Sequence, residues 1–161
     1  MVVGNSWVGA AAQPVYVVPI TGTIDGGLTN FVARAYQEAD AQNASRVILE
    51  INTPGGYLEE AVAIKEIINN AKTPTIAYVT GGAISAGALL ALSAPDLVMV
   101  PGGTIGAAEP RLGLEKADEK IVSYWATELA GAAEKNGRDP QVARAMADVD
   151  VVIPGVVERV K

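Results

Sequence analysis

A regular alternation of β-branched runs with helical stripes is what most constrains this chain. Val15–Ile20 (VYVVPI), Arg46–Asn52 (RVILEIN), Thr75–Val79 and Leu97–Val100 (LVMV) each carry the continuous apolar pattern of a buried strand. Between the first three, Leu28, Phe31, Val32, Ala35 and Ala39 fall at helical spacing before Asn43, and Leu58, Ala61, Ile64 and Ile68 do so before Lys72-Thr73-Pro74. Ser85–Ala94 is an apolar helix-like run that stops at Pro95. Strands separated by helices need crossover connections, so the expected fold is α/β, with a mainly parallel sheet covered on both faces.

Further along, Arg111–Ala117 shows no periodicity and reads as a loop. A long helix is predicted from about Asp118 to Lys135, with Ile121, Trp125, Leu129 and Ala132 on one face. Asp139-Pro140 opens another helix, as N-cap and first residue. Asp150–Ile153 and Val156–Val160 are short and strand-like. No repeat or linker divides the chain, so 15–161 reads as a single domain. Residues 1–14 are apolar, with small residues at Ala10-Ala11-Ala12, and read as the remnant of a signal or anchor, or as a leader. No run approaches the 18 or so apolar residues of a bilayer span.

Two absences narrow the chemistry. With no cysteine there is no thiol nucleophile and no zinc–thiolate site; with no histidine there is no Ser-His-Asp triad and no His-ligated metal. A hydroxyl nucleophile here would need a lysine, a carboxylate or the chain's own amino terminus as its base. No cofactor or metal site is expected. The net charge of −6, without a basic patch, argues against nucleic acid as a partner.

In parallel sheets, sites gather beyond the strands' carboxyl ends. Three glycine-rich loops are expected there: Thr53–Gly56, Gly81–Ser85 and Gly102–Glu109. In Gly81-Gly82-Ala83-Ile84-Ser85-Ala86-Gly87, a single serine stands among small residues at the mouth of a helix. It is either a simple N-cap or a nucleophile on a bare backbone, with free helical N–H groups beside it. Pro54-Gly55-Gly56 is either a tight turn or an oxyanion cradle of backbone N–H groups. Among the lysines, Lys65, Lys72, Lys135 and Lys161 read as solvated charges. Lys116 and Lys120 flank the start of the long helix. A lysine buried at a helix N-terminus is destabilised in its charged form and so suited to act as a base. Spacing alone does not rank Lys120 far above Lys116.

Taken in order, Thr53-Pro54-Gly55-Gly56, Ile84-Ser85-Ala86-Gly87 and Gly106-Ala107-Ala108-Glu109-Pro110 resemble the ClpP/crotonase superfamily. Within it the chain is similar to the protease domain of the NfeD family of membrane-bound, ClpP-class serine proteases, over about Val15 to Val157. Lys135–Pro140 and Ala145–Asp148 extend the likeness. The resemblance implies a sheet built from ββα and βαβ units and a Ser-Lys dyad. Ser85 matches the nucleophile and Lys120, in Glu119-Lys120-Ile121, matches the catalytic lysine. Gly56 and the Ala86 N–H match the oxyanion hole, with Gly55 shaping the turn.

Full-length members carry a signal or anchor, several membrane spans and a small C-terminal β-barrel. The resemblance therefore implies a membrane-associated protein with an extracytoplasmic protease domain, whose C-terminal part is cut short here. It also implies apolar polypeptide substrates, stomatin-like partners and a homodimer. Two other readings stand beside the serine endopeptidase: a crotonase-like acyl-CoA enzyme using Glu109, and a non-catalytic protein-interaction module.

Overall fold

The structure, a computed structural model, describes residues 12–113 and 115–155. Its elements run β1 (Val15–Ile24), α1 (Gly26–Ala41), β2 (Arg46–Gly56), α2 (Leu58–Asn70), β3 (Thr75–Ile84), α3 (Ala86–Ser93), β4 (Asp96–Met99), β5 (Thr104–Gly106), β6 (Arg111–Leu112), β7 (Glu115–Lys116), α4 (Glu119–Lys135) and α5 (Pro140–Ala147). The main sheet has the order β1-β2-β3-β4 with every pair parallel, and β5 joins β3 further along the same edge. This is the α/β, mainly parallel architecture expected from the alternating pattern.

Strands laid down in sequence order, with crossovers of one hand, put their helices on one side of the sheet. Val18, Ile20, Val47, Leu49, Ile51, Ala77 and Val79 point to that side and are fully or almost fully buried. The opposite side corrects the expectation of a sheet covered on both faces. There, register places Val17 beside Ile48 and Ile48 beside Ile76, while Tyr78 lies beside Val98. Val17 and Val98 are 57% and 51% exposed. Continuous apolar runs cannot distinguish one covered face from two, because both faces of these strands carry β-branched residues.

The first three strands also outrun their predicted ends. Thr21–Ile24, Thr53–Gly56 and Thr80–Ile84 look like turns by composition, yet they stay in the sheet after a shift of register. Thr23 pairs with Gly55 and Ile24 with Gly56, while Thr53 pairs with Ala83. Backbone groups make these ladders, so glycine does not end them, and Pro54, with no N–H to offer, falls between paired residues. Arg111–Ala117, expected as a loop, holds the small antiparallel β6–β7 hairpin. Asp150–Ile153 contributes one isolated bridge at Ile153 rather than a strand. The leader up to residue 11 and the Val156–Val160 run lie outside the described residues.

Local chemistry accounts for the helix ends. Asp25 and Asp139 accept from the Leu28 and Gln141 N–H groups at 2.9 and 2.7 Å, the N-cap bonds that open α1 and α5. Asn43 turns the chain out of α1 with φ 50°, a conformation that asparagine tolerates. α3 is the central element, buried at every residue. Its carbonyl end is closed from outside. The Arg138 guanidinium donates to Leu92 O, Ala94 O and Pro95 O at 3.0, 2.9 and 2.9 Å, and Asn136 Nδ2 to Leu92 O and Ser93 O at 2.9 and 3.1 Å. Removing a charged donor from partly buried carbonyls costs about 1.5–3 kcal/mol. Arg138→Ala is therefore expected to lower the unfolding free energy by that amount, read as a lower urea midpoint at unchanged m-value. A loss below about 0.5 kcal/mol would show that Asn136 suffices.

Candidate active site

The three glycine-rich loops converge. Pro54, Gly56, Ile84, Ser85, Ala107 and Glu109 line one cavity of about 700 Å³. α2 adds Leu58 and Val62 to its wall, α4 adds Ile121 and Tyr124, and the β6–β7 hairpin adds Arg111 and Leu112. The lining is mainly apolar, with the Ser85 hydroxyl and the Glu109 carboxylate as its acid–base chemistry alongside Arg111, Glu59 and the tyrosines.

Ser85 sits between β3 and α3, with φ 54° and ψ −121°. A left-handed φ on a residue with a side chain costs of order 1–3 kcal/mol. The usual return on a serine in this place is an N-cap bond, and here the side chain makes none. The simple N-cap reading is thereby removed. Instead the backbone fixes the turn: the Ser85 N–H donates to Gly106 O and the Ala88 N–H to Ser85 O, both at 2.9 Å. Beyond Gly106, itself at φ 121°, Ala107 takes φ 47°, and the Ala108 N–H is held by Met146 O at 2.7 Å. The third loop is thus locked against both the serine and α5.

Gly55, at φ 105°, faces the serine so closely that a Cβ there would lie 2.6 Å from Ser85 Cβ. At Gly56 a Cβ would run into the backbone of Ile24. The Tyr57 N–H is bonded to Ile24 O at 2.9 Å, toward β1. Gly56 thus stands between that bond and Gly55, which faces the serine. Ala86, buried, is the first residue of α3, where N–H groups have no intrahelical acceptor.

Lys120 lies in the first turn of α4 and is exposed, so the expectation of a buried lysine is not met. Its neighbour Ile121 lines the cavity; Lys120 does not. The Asp118 carboxylate caps the helix by accepting from the Ile121 N–H at 2.9 Å. Lys116 is tied to Glu109, Nζ to Oε1 at 3.3 Å, and Arg111 Nη2 lies 3.2 Å from Glu109 Oε2. Glu109 therefore anchors the hairpin over the cavity with both of its oxygens. Lys65, read as a solvated charge, is another correction. Its amine is largely buried between α2 and α4, 2.7 Å from Glu128 and 3.0 Å from Glu66. These carboxylates raise its pKa against the lowering effect of burial.

Tyr57, Val62 and Tyr124 carry no mark in the sequence that points to a site, and Leu58 is marked only as part of a helical stripe. The nearest to one is an aromatic directly after Pro54-Gly55-Gly56: Tyr57 is 66% exposed at the cavity edge. Among the described residues no cluster of three or more acidic side chains could hold a metal ion, and no helix is long and apolar enough to cross a membrane.

Comparison with known proteins places the same residues in context. Residues 14–160 match the family model described as NfeD1b, N-terminal domain. Membrane protein NfeD1b of Bacillus subtilis is 43% identical over 143 residues, which cover 88% of this chain and 33% of that protein. Membrane-bound protease PH1510 of Pyrococcus horikoshii is 32% identical over 150 residues, 88% of this chain and 34% of that protein. The chain thus spans about a third of the length of these relatives. A solved structure of the 1510-N membrane-bound stomatin-specific protease, a lysine-to-alanine variant in complex with a substrate peptide, superposes with a TM-score of 0.82 at 31% identity. That match covers 88% of this chain and 68% of the other.

Proposed function

Since the chain belongs to the family of NfeD1b N-terminal domains, we propose that it is a serine endopeptidase domain with Ser85 as nucleophile and Lys120 as its base. The observation that carries this reading is the backbone of Ser85: a strained φ, no cap bond, and a side chain at the wall of an apolar cavity. Strain at a serine that caps nothing points to a hydroxyl held for chemistry.

In the proposed reaction Ser85 Oγ attacks a peptide carbonyl while the Lys120 amine takes its proton, later delivered to the leaving amine. The Gly56 and Ala86 N–H groups receive the negative charge on the carbonyl oxygen, aided by the positive end of α3. Water then releases the acyl group. Lys120 suits the part because Ile121, next in the chain, already lines the cavity, and because its amine is in no ion pair among the described residues, whereas Lys116 is committed to Glu109. Closure of the β6–β7 hairpin and the first turn of α4 over a bound peptide brings the amine in. A lysine replaced by alanine in the peptide-bound 1510-N structure fits a lysine that is needed for turnover but not for binding.

The apolar walls suit extended apolar polypeptide segments, and by relationship to the stomatin-specific protease we extend the proposal to stomatin-like membrane proteins. Placement of the domain outside the cytoplasm, and a homodimer, belong to the same proposal.

A fluorophosphonate probe tests the centre directly. Labelling is expected at Ser85, absent in Ser85→Ala, and slowed about 10²–10⁴-fold at neutral pH in Lys120→Ala, the range of a general base. Labelling of Ser85→Ala at the parent rate would overturn the nucleophile. An unchanged rate in Lys120→Ala would remove the lysine from the mechanism and leave Ser85 in place.

A further inference from the structure

Both ladders that lead into the site change register as they enter it. The β1–β2 register shifts between Thr21 and Thr23, and the β2–β3 register between Ile51 and Thr53. Such irregularities re-aim a strand, and each leaves backbone groups without their ladder partners. Gly22, at φ 70°, sits in the first break. Thr53, 2% exposed, lies opposite it on β2, and Asn52 sits in the second break.

The second break is bridged by Asn52, whose Oδ1 accepts from the Gly82 N–H at 3.1 Å, and the first by Thr53. Thr53 Oγ1 donates to Gly22 O at 2.6 Å and accepts from the Gly55 N–H at 3.0 Å. Its methyl group lies against α3 at Gly87, where a Cβ would come within 2.5 Å of Thr53 Cγ2. The hydroxyl thus fixes the strand before the Pro54-Gly55-Gly56 turn to β1, and fixes Gly55 within the turn. The methyl sets how closely the turn approaches the helix that starts at Ser85. A buried hydroxyl with both a donor and an acceptor partner holds one rotamer, and with it one orientation of the peptide units that follow.

We propose that Thr53 is a positioning residue that aims the Gly56 N–H at the carbonyl oxygen of a peptide attacked by Ser85. It lines no part of the cavity, so it would act through Gly55 and Gly56. The proposal rests on the reading of Ser85 as nucleophile and Gly56 as oxyanion donor. Its signature is loss of rate without loss of binding, because the oxyanion exists in the transition state and not in bound substrate. A misplacement of about 1 Å costs up to about 10²-fold in rate.

The test is fluorophosphonate labelling with the inactivation rate and the inhibitor affinity measured separately, beside a thermal melt. Thr53→Val replaces the hydroxyl by a methyl of the same shape and is expected to slow inactivation by about 10–100-fold, with affinity held within about twofold. Thr53→Ser keeps the hydroxyl and loses the contact with Gly87; it should melt earlier yet react within about threefold of the parent. If Thr53→Val does not fold, Thr53→Ala takes its place. Serine and alanine both lack the methyl, so a rate ratio of about 10 or more between them isolates the hydroxyl. Rates that follow melting temperature, or equal rates for the serine and alanine variants, would overturn the proposal. The premise fails separately. Labelling of Ser85→Ala at the parent rate sinks the nucleophile, whereas a silent Ser85→Ala beside an undiminished Thr53→Val sinks only the role of Thr53.

Discussion

Replacing Ser85 by glycine is expected to abolish labelling and peptide hydrolysis while making the domain more stable. The two effects share one cause. At φ 54° and ψ −121° the serine occupies a conformation that glycine adopts without steric cost. Glycine forgoes the Ser85 hydroxyl, which makes no cap bond, so little native interaction is lost. Relief of strain, set against the greater freedom of glycine in the unfolded chain, leaves a gain of about 1 kcal/mol, or about 3 °C in melting temperature for a domain of this size. Ser85→Ala keeps a Cβ and so keeps the strain; it should be equally inactive at near-parent stability. Differential scanning calorimetry on the two variants separates the cases. Were Ser85→Gly less stable than Ser85→Ala, the turn would be held by the serine side chain after all, and the strain argument would fall with it.

That pairing of strain and function also explains what the sequence could and could not show. The parallel sheet was legible because Val15–Ile20, Arg46–Asn52 and Thr75–Val79 bury backbone under β-branched side chains, a local property that survives in any α/β context. The convergence of Thr53–Gly56, Gly81–Ser85 and Gly102–Glu109 was legible too, since all three follow strands and parallel strands end on one side. The extension of those strands through Thr21–Ile24, Thr53–Gly56 and Thr80–Ile84 was not. It depends on register shifts at Gly22 and Asn52, which are set by pairing between distant segments rather than by any residue's own preference. The open sheet face escaped notice for a similar reason, as did the ion pairs of Lys65 with Glu128 and of Glu109 with Lys116. Each joins residues whose meeting is a tertiary event. Lys120 shows the opposite case: its position in the chain was clear, while its exposure follows from how α4 packs, with Ile121 rather than Lys120 turned to the cavity.

Gly56→Ala is the substitution expected to damage the fold most. A methyl there has no open direction, because it would overlap the backbone of Ile24, and backbone in a paired strand cannot rotate away as a side chain can. The end of the β1–β2 ladder would have to part, breaking the Tyr57 N–H to Ile24 O bond that carries the chain into α2. A forced overlap with strand backbone together with a lost ladder bond gives a destabilisation of about 3–4 kcal/mol, at the upper end for single substitutions. Gly55→Ala acts on the other side of the same turn. Its φ of 105° is itself unfavourable for alanine, and its Cβ would meet Ser85 Cβ at 2.6 Å. Here the obstacle is the nucleophile's own side chain, which can be pushed aside, so the fold should lose less, about 2 kcal/mol, and catalysis more, about 10²-fold or greater. The two neighbours are therefore expected to separate. Gly56→Ala should unfold early in denaturant, and the fraction that stays folded should also react slowly, because parting the ladder end displaces the Gly56 N–H. Gly55→Ala should remain largely folded at room temperature and label slowly. If both variants lost stability and activity in the same proportion, the turn would be a fold element alone, and the assignment of its N–H groups to an oxyanion would lose its main structural support.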